Sequence, residues 1–245
     1  MYQNRTYRNL IHSDRLQAYN VVVQETDLYV HAKTNLADIT KELVLQYRGY
    51  LEAYIRENPE FAGALQPWRL NSPAPNIVNT MIKAGEKAGV GPMAAVAGAI
   101  AEYVGHDLLG HTDEVIVENG GDIFLKANKP LTIGIYAGNS PLSLKLGLRI
   151  DSSTAPSAVC TSSGTVGHSM SLGKADAVCV VSDFCSLADA SATSIGNLVQ
   201  SKRDIKHAIE AGKMIEEIKA LVVIVGDEIG LWGELDLVPL KRKKG

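Results

Sequence analysis

The polar and apolar positions alternate at first and then take on helical spacing. Tyr19 to Gln24 and Leu28 to Ala32 are extended in pattern and flank Glu25-Thr26-Asp27, which predicts a β-hairpin. Leu36, Ile39, Leu43, Tyr47, Tyr50 and Tyr54 then recur at intervals of three and four. That spacing predicts a helix capped by Thr34 or Asn35 and ended near Asn58 by Pro59. Pro67, Pro73 and Pro75 make residues 66–76 an irregular connector. A second helix covers Ile77 to Ala88 and is closed by Gly89. Pro92 suits the first turn of a third, running to about Leu109. The small residues Ala94, Ala95, Ala97, Gly98 and Ala99 let backbones approach closely, which places this helix at the centre of the fold.

Beyond Glu114 the pattern becomes strand-like: Val115 to Glu118, Ile123 to Lys126, Leu131 to Tyr136, Leu144 to Ile150, Ala158 to Thr161 and Ala177 to Ser182. Helices return at Leu187 to Gln200 and Asp204 to Ala211, followed by strands at Leu221 to Val225 and Ile229 to Trp232. Strands and helices do not alternate regularly. This order predicts an α+β fold with a mixed, largely antiparallel sheet packed with helices, in one compact unit, rather than a doubly wound parallel sheet. No repeat or low-complexity linker interrupts it. The chain divides into a strand and helix part of about 1–66, a core part of about 67–240 and a basic tail at 241–245.

Composition narrows the functional classes. With 24 Lys plus Arg against 27 Asp plus Glu, the 245 residues carry a net charge of −3, which gives no case for a nucleic-acid partner. At 46% hydrophobic and 21% charged residues, the mix is that of a globular chain. Met1 to Asp14 is polar, without the apolar stretch of a secretory signal, and Ala220 to Val225 falls far short of the roughly 20 apolar residues of a membrane span. Three cysteines without CxxC spacing read as reduced thiols, so the expected location is the cytoplasm. The many small-residue faces fit a homo-oligomer.

Three stretches carry candidate chemistry. Asn119-Gly120-Gly121-Asp122 lies between two strands. Its glycine amides suit an anion, and the same residues suit a plain hairpin turn. The run from Cys160 through Thr161, Ser162, Ser163, Gly164 and Thr165 to His168 follows a strand. It offers hydroxyls and amides to phosphate oxygens, or is a polar loop satisfying its own backbone. His168 is the candidate for proton transfer. Asp189 and Thr193, four apart on a helix, share one face. They offer two hard oxygens to Mg²⁺, or a dipole-stabilising carboxylate and a back-bonded hydroxyl.

In this order the three stretches resemble the ApbE family of flavin transferases. Asn119-Gly120-Gly121-Asp122 matches the family's glycine-paired turn, and Thr161, Ser162 or Ser163, and Gly164 match its Thr-Ser-Gly loop. Ala188-Asp189-Ala190-Ser191-Ala192-Thr193 matches its helical Ala-Asp-Ala-x-x-Thr, so the likeness covers roughly Gly91 to Leu198. The resemblance implies an ApbE-like fold that binds a flavin nucleotide, FAD, with Mg²⁺, and that hydrolyses FAD or transfers FMN to a threonine of an acceptor protein. It implies Asp189 and Thr193 as metal ligands. Asn119, Gly120, Gly121, Asp122 and the 161–165 loop line the nucleotide in that picture.

The chain departs from the family at three places. Ala95 stands where the family has a lysine, and His168 is followed by Ser169-Met170-Ser171-Leu172 without the family's Asp-Pro. The long helix from Asn35 to Asn58 replaces the segment that grips adenine. The chain looks closest to an uncharacterised cytoplasmic branch of anaerobic archaea and bacteria. That branch is associated with sulfur assimilation and homocysteine formation, which directs interest to Cys160 as a thiolate carrying a persulfide, against its reading as a small buried residue. Three readings follow: an Mg²⁺-dependent flavin-nucleotide enzyme, a sulfur-handling protein working through Cys160, and a non-catalytic binding subunit.

Overall fold

The computed structural model describes residues 15–70, 73–164 and 172–240. The hairpin forms from β1 (Gln17–Val23) and β2 (Thr26–Ala32), with Gln24 at φ 52° in a two-residue turn that pairs Val23 with Thr26. In α1 (Ala37–Glu57) the Asn35 side chain accepts the Ala37 N–H at 2.9 Å. The buried stripe is Thr40, Val44, Tyr47, Leu51 and Tyr54, offset from the apolar spacing of the sequence. Tyr50 is 45% exposed, because a tyrosine carries a polar tip that water accepts. Thr40 can be buried because its hydroxyl bonds back to the Leu36 carbonyl at 2.8 Å.

The helices α2 (Asn76–Ala88) and α3 (Val96–Leu108) fall where the sequence places them, except that Pro92–Ala95 is a separate 3₁₀ turn before α3. Gly89, at φ 71°, ends α2 in the left-handed region. Among the described residues no single helix is long and apolar enough to cross a membrane. The pair α2 and α3 reaches the combined length only across a 105° bend, and both helices line the core.

One sheet of eight strands organises the chain. Its strands include β3 (Val115–Asn119), β4 (Asp122–Lys126), β7 (Ser157–Ser162), β8 (Ala177–Ser182), β9 (Ile218–Val225) and β10 (Glu228–Gly233). The order is β1-β2-β3-β4-β7-β8-β9-β10, with every neighbour antiparallel. A second sheet joins β5 (Leu131–Gly134), β6 (Leu146–Ile150) and β11 (Leu237–Pro239), the last a short strand without a counterpart in the sequence prediction. The strand expected from Leu144 starts at Leu146, since Leu144 takes φ 54° and bonds Ile135 across the bend.

Alternate residues of the large sheet feed two cores. Val117, Phe124, Val178 and Leu221 pack against the helices, while Ile116, Leu125, Val181 and Val222 pack with Ile133 and Leu148 of the small sheet. Cover on both faces explains why the central strands are apolar throughout and not alternating. It also buries a polar residue: His31 is 4% exposed on β2, edge-on to Tyr29 at 5.0 Å. The helix α4 (Cys185–Asn197) begins two residues before its predicted start. After it, Ser201 and Asp204 form a capping box leading to α5 (Ile205–Lys213).

Two glycines in helices give opposite expectations. A Cβ at Gly105 of α3 would lie 2.2 Å from the Phe124 ring, whereas one at Gly49 of α1 would meet nothing within 4 Å. Gly105→Ala is expected to destabilise the protein by about 1–3 kcal/mol through overpacking. Gly49→Ala is expected to stabilise it by about 0.5–1 kcal/mol through helix propensity. Denaturant unfolding of the two variants checks both signs.

Candidate functional site

The site is built where α3 and α4 start. Neither helix has a side-chain cap from its own N-cap residue, Ala95 in one case and Phe184 in the other. Each is capped by a carboxylate from its partner instead. Asp189 Oδ2 of α4 accepts the Gly98 N–H of α3 at 2.8 Å. Glu102 Oε2 of α3 accepts the Ser186 N–H of α4 at 2.8 Å and the Ser186 hydroxyl at 3.0 Å. Exposed N–H groups at a helix start favour an anion, so each carboxylate is stabilised where it sits. Contact this close requires Gly98: an added Cβ would lie 2.4 Å from the Cys185 carbonyl oxygen and 2.8 Å from Asp189 Cβ.

The glycine-paired turn docks against the same point. Asn119 pairs with Asp122 around Gly120 at φ 68° and Gly121 at φ 113°, a hairpin turn that glycine adopts without strain. The Asn119 side-chain amide donates to the Ala97 carbonyl at 3.1 Å, tying the turn to α3. The Gly121 amide, a candidate for an incoming anion, donates to Glu118 Oε1 at 2.8 Å. The turn is therefore a hairpin that also carries Asp122 into the site.

Asp122 lies directly opposite Cys160 in the β4–β7 ladder and is 7% exposed. Burial drives its pKa well above the usual carboxylate range, and the nearby charges of Asp189 and Glu118 push it the same way. The neighbouring Cys160 thiol and Thr161 backbone N–H pull its pKa down. Burial raises Asp189 to about 7, against the opposing pull of the Gly98 and Ala97 amides. Among the described residues neither Asp122 nor Asp189 forms an ion pair. Among the described residues the pair is an acidic site without a counter-charge.

The other candidates fall around this pair. Thr193 is one turn beyond Asp189 on α4 and partly buried, so Cys185, Asp189 and Thr193 form one stripe. Asp189 is in the second turn of α4 and caps α3, not its own helix. Thr161 and Ser162 belong to the end of β7, not to a loop, and Thr161 Oγ1 contacts Cys179 Sγ at 3.2 Å. Ser163 is partly buried, and Gly164 donates to the Ala175 carbonyl at 2.9 Å. Thr165 and His168 lie outside the described residues. Ala95, at the position of the family lysine, is fully buried.

Cys160 does not occupy the environment expected for a thiolate. It is fully buried, its Sγ is 3.3 Å from the Cys185 carbonyl oxygen and 3.5 Å from Cys185 Sγ, and burial pushes its pKa well up. The neighbouring thiol and the charges of Asp122 and Asp189 add to that shift, which suits the reading of Cys160 as a small buried residue. Sequence reasoning named Gly98 for close backbone approach but not for the site, and gave Glu102 and Glu118 no role. The signal for the first two was present: a glycine and a lone carboxylate four residues apart in an otherwise small and apolar helix.

Among the described residues no three His, Cys, Asp or Glu side chains converge on one point, so no all-protein metal cage is present. That arrangement still fits Mg²⁺, which is commonly held by one or two carboxylates, with water and substrate phosphate completing its octahedron. Asp189 Oδ1, the Thr193 hydroxyl and Asp122 are hard oxygens of the required kind.

Comparison with known proteins gives consistent relationships. A family profile described as AbpE bacteria matches residues 8–230. A UPF0280 protein of Methanococcus aeolicus is 44% identical over 203 residues, covering 81% of this chain and 82% of its own. A second UPF0280 protein, from Methanosarcina barkeri, is 44% identical over 211 residues, covering 84% and 83%. Among solved structures, the apo form of the Pseudomonas stutzeri flavinyl transferase ApbE matches with TM-score 0.55 and 14% identity, over 90% of this chain and 95% of that one. The ApbE protein of Thermotoga maritima matches with TM-score 0.54 and 14% identity, over 88% and 96%. At these identities the structural matches establish the fold alone, an ApbE-like α+β fold.

The raised pKa of Asp189 sets a pH dependence. Between the unfolded carboxylate value near 3.8 and the folded value of about 7, the folded chain holds a proton that the unfolded chain has released. Its contribution to stability is therefore greatest at acid pH and is lost as pH rises through that window. The expected outcome, in metal-free buffer, is that the melting temperature of the wild type falls relative to Asp189→Asn by several degrees from pH 4 to pH 7. Parallel profiles for the two proteins would remove Asp189 as the source.

Proposed function

The chain belongs to the AbpE bacteria family and to its ApbE-like group, and from that premise we propose that it binds a flavin nucleotide, FAD, through a divalent cation held at Asp189. The observation that carries this reading is the Asp122–Asp189 pair, two carboxylates gathered at a helix start with no cationic partner among the described residues. Such a pair is neutralised either by a proton or by a metal ion. The choice of flavin comes from the activity named for the flavinyl transferase with which the chain shares its fold.

In this reading Asp189 Oδ1 and Thr193, joined by Asp122, would hold Mg²⁺. The ion, when bound, supplies positive charge against the pyrophosphate of the nucleotide. Asp189 is oriented for this by the Gly98 N–H, which fixes its other oxygen. The Asn119–Asp122 turn and residues 161–164 line the nucleotide, with Thr165 and His168 following in the same stretch. Because Ala95 replaces the family lysine, the cation carries all the neutralisation that a lysine would share. The reaction is cleavage of FAD to FMN and AMP, or transfer of FMN to a threonine hydroxyl of an acceptor protein in the cytoplasm, with His168 receiving the proton of the attacking hydroxyl. A binding subunit without turnover is the second reading, favoured by the burial of Ala95 where a charged side chain would be needed.

Calorimetric titration of the metal-free protein with FAD tests both. FAD is expected to bind at least tenfold more tightly with Mg²⁺ than without, a difference of about 1.4 kcal/mol or more. Asp189→Asn is expected to remove that enhancement. FMN and AMP released in Mg²⁺ mark the enzyme, and tight binding without products marks the binding subunit. Equal FAD affinity with and without Mg²⁺ would contradict the site.

A further inference from the structure

We propose that Cys160 and Cys185 are a redox-active pair that closes to a disulfide and thereby tightens the cation site one helical turn away. The part concerning the cation rests on the reading of Asp189 as a ligand; the disulfide does not.

The geometry is specific to these two sulfurs. Cys160 is on β7 and Cys185 opens α4, 25 residues later, yet their Sγ atoms are 3.5 Å apart and both side chains are fully buried. The Cys160 thiol also lies 3.3 Å from the Cys185 carbonyl oxygen, which holds it at the first turn of α4. A disulfide needs about 2.05 Å between sulfurs, so closure asks for roughly 1.5 Å of approach, shared between side-chain rotation and a shift of the Cys185 turn. The third cysteine cannot compete. Cys179 packs in the other core, on the opposite face of the sheet, against Thr161.

Two neighbours give the pair chemical and mechanical consequence. Asp122 lies directly opposite Cys160 in the β4–β7 ladder, so the pair sits beside one of the two site carboxylates. Cys185, Asp189 and Thr193 follow one another at intervals of four on α4, and the turn containing Cys185 is pressed against Gly98 with no spare room. Movement of that turn is therefore passed to Asp189.

With hydrogen peroxide as oxidant, the Cys160 sulfur attacks one peroxide oxygen. The O–O bond breaks, the leaving hydroxide takes the thiol proton and departs as water, and Cys160 becomes a sulfenic acid. The Cys185 sulfur then attacks that sulfur. The S–O bond breaks, the thiol proton leaves with the hydroxyl as a second water, and the S–S bond forms. Two thiols lose two electrons and one peroxide is reduced to two waters. Closure draws the Cys185 turn of α4 towards Cys160, and with it Asp189 towards Asp122, which lies opposite Cys160 on β4.

The test treats the full-length metal-free protein with hydrogen peroxide, alkylates it under denaturing conditions and maps its peptides by mass. A Cys160–Cys185 cross-link, absent in Cys185→Ala and retained in Cys179→Ser, is the expected result. Full alkylation of both residues, or oxidation of Cys160 beyond sulfenic acid without cross-linking, would overturn the proposal. Mn²⁺ titration of the oxidised and reduced proteins then reads the coupling, with at least fivefold tighter binding expected after oxidation. Equal or weaker binding overturns the coupling while leaving the cross-link standing. Mn²⁺ affinity unchanged in reduced Asp189→Asn would instead refute the cation site, independently of the disulfide.

Discussion

The absence of a side chain at Gly98 sets how near α4 comes to α3, and the site depends on that distance. With the Cys185 backbone and Asp189 Cβ pressed onto Gly98, each helix receives its cap from the other: Asp189 for α3, Glu102 for α4. The glycine-paired turn completes the arrangement, because Asn119 binds the Ala97 carbonyl and so fixes Asp122 beside the same helix start. A larger residue at position 98 would force the helices apart and separate Asp189 from both the α3 amides and Asp122.

This packing concentrates negative charge. Buried carboxylates are costly unless neutralised, and helix amides offset only part of one unit of charge at Asp189. The raised pKa of Asp189 and Asp122 expresses that deficit. Ala95, at the position where the resemblance implies a lysine, is buried and uncharged, and among the described residues no cation pairs with either carboxylate. The same logic makes Cys160 a poor resting thiolate, since a third negative charge beside two carboxylates at a buried position is the least favourable occupant.

Most of the fold was legible in the sequence because its signals are local. Gly89 and Pro92 marked the ends of α2 and α3, Asn119-Gly120-Gly121-Asp122 marked the β3–β4 turn, and Ala177–Ser182 was read to the residue. What escaped was set by tertiary contact. His31 reads as polar in isolation and is buried because a helix layer covers one face of the sheet and a second sheet the other. β11 is three residues long and exists by pairing with β6. In the site, the spacing of Asp189 and Thr193 gave the shared face, but periodicity carries no information on which helix Asp189 would cap. The proximity of Cys160 to Cys185 was likewise invisible across 25 residues of chain.

The most direct test of a cation held at the junction of α3 and α4 is anomalous X-ray diffraction from crystals grown with Mn²⁺ and FAD. The account predicts an anomalous peak within about 2.0–2.2 Å of Asp189 Oδ1, with Thr193 and phosphate oxygens in the same shell. A peak elsewhere, or FAD bound with no metal density beside Asp189, would contradict it.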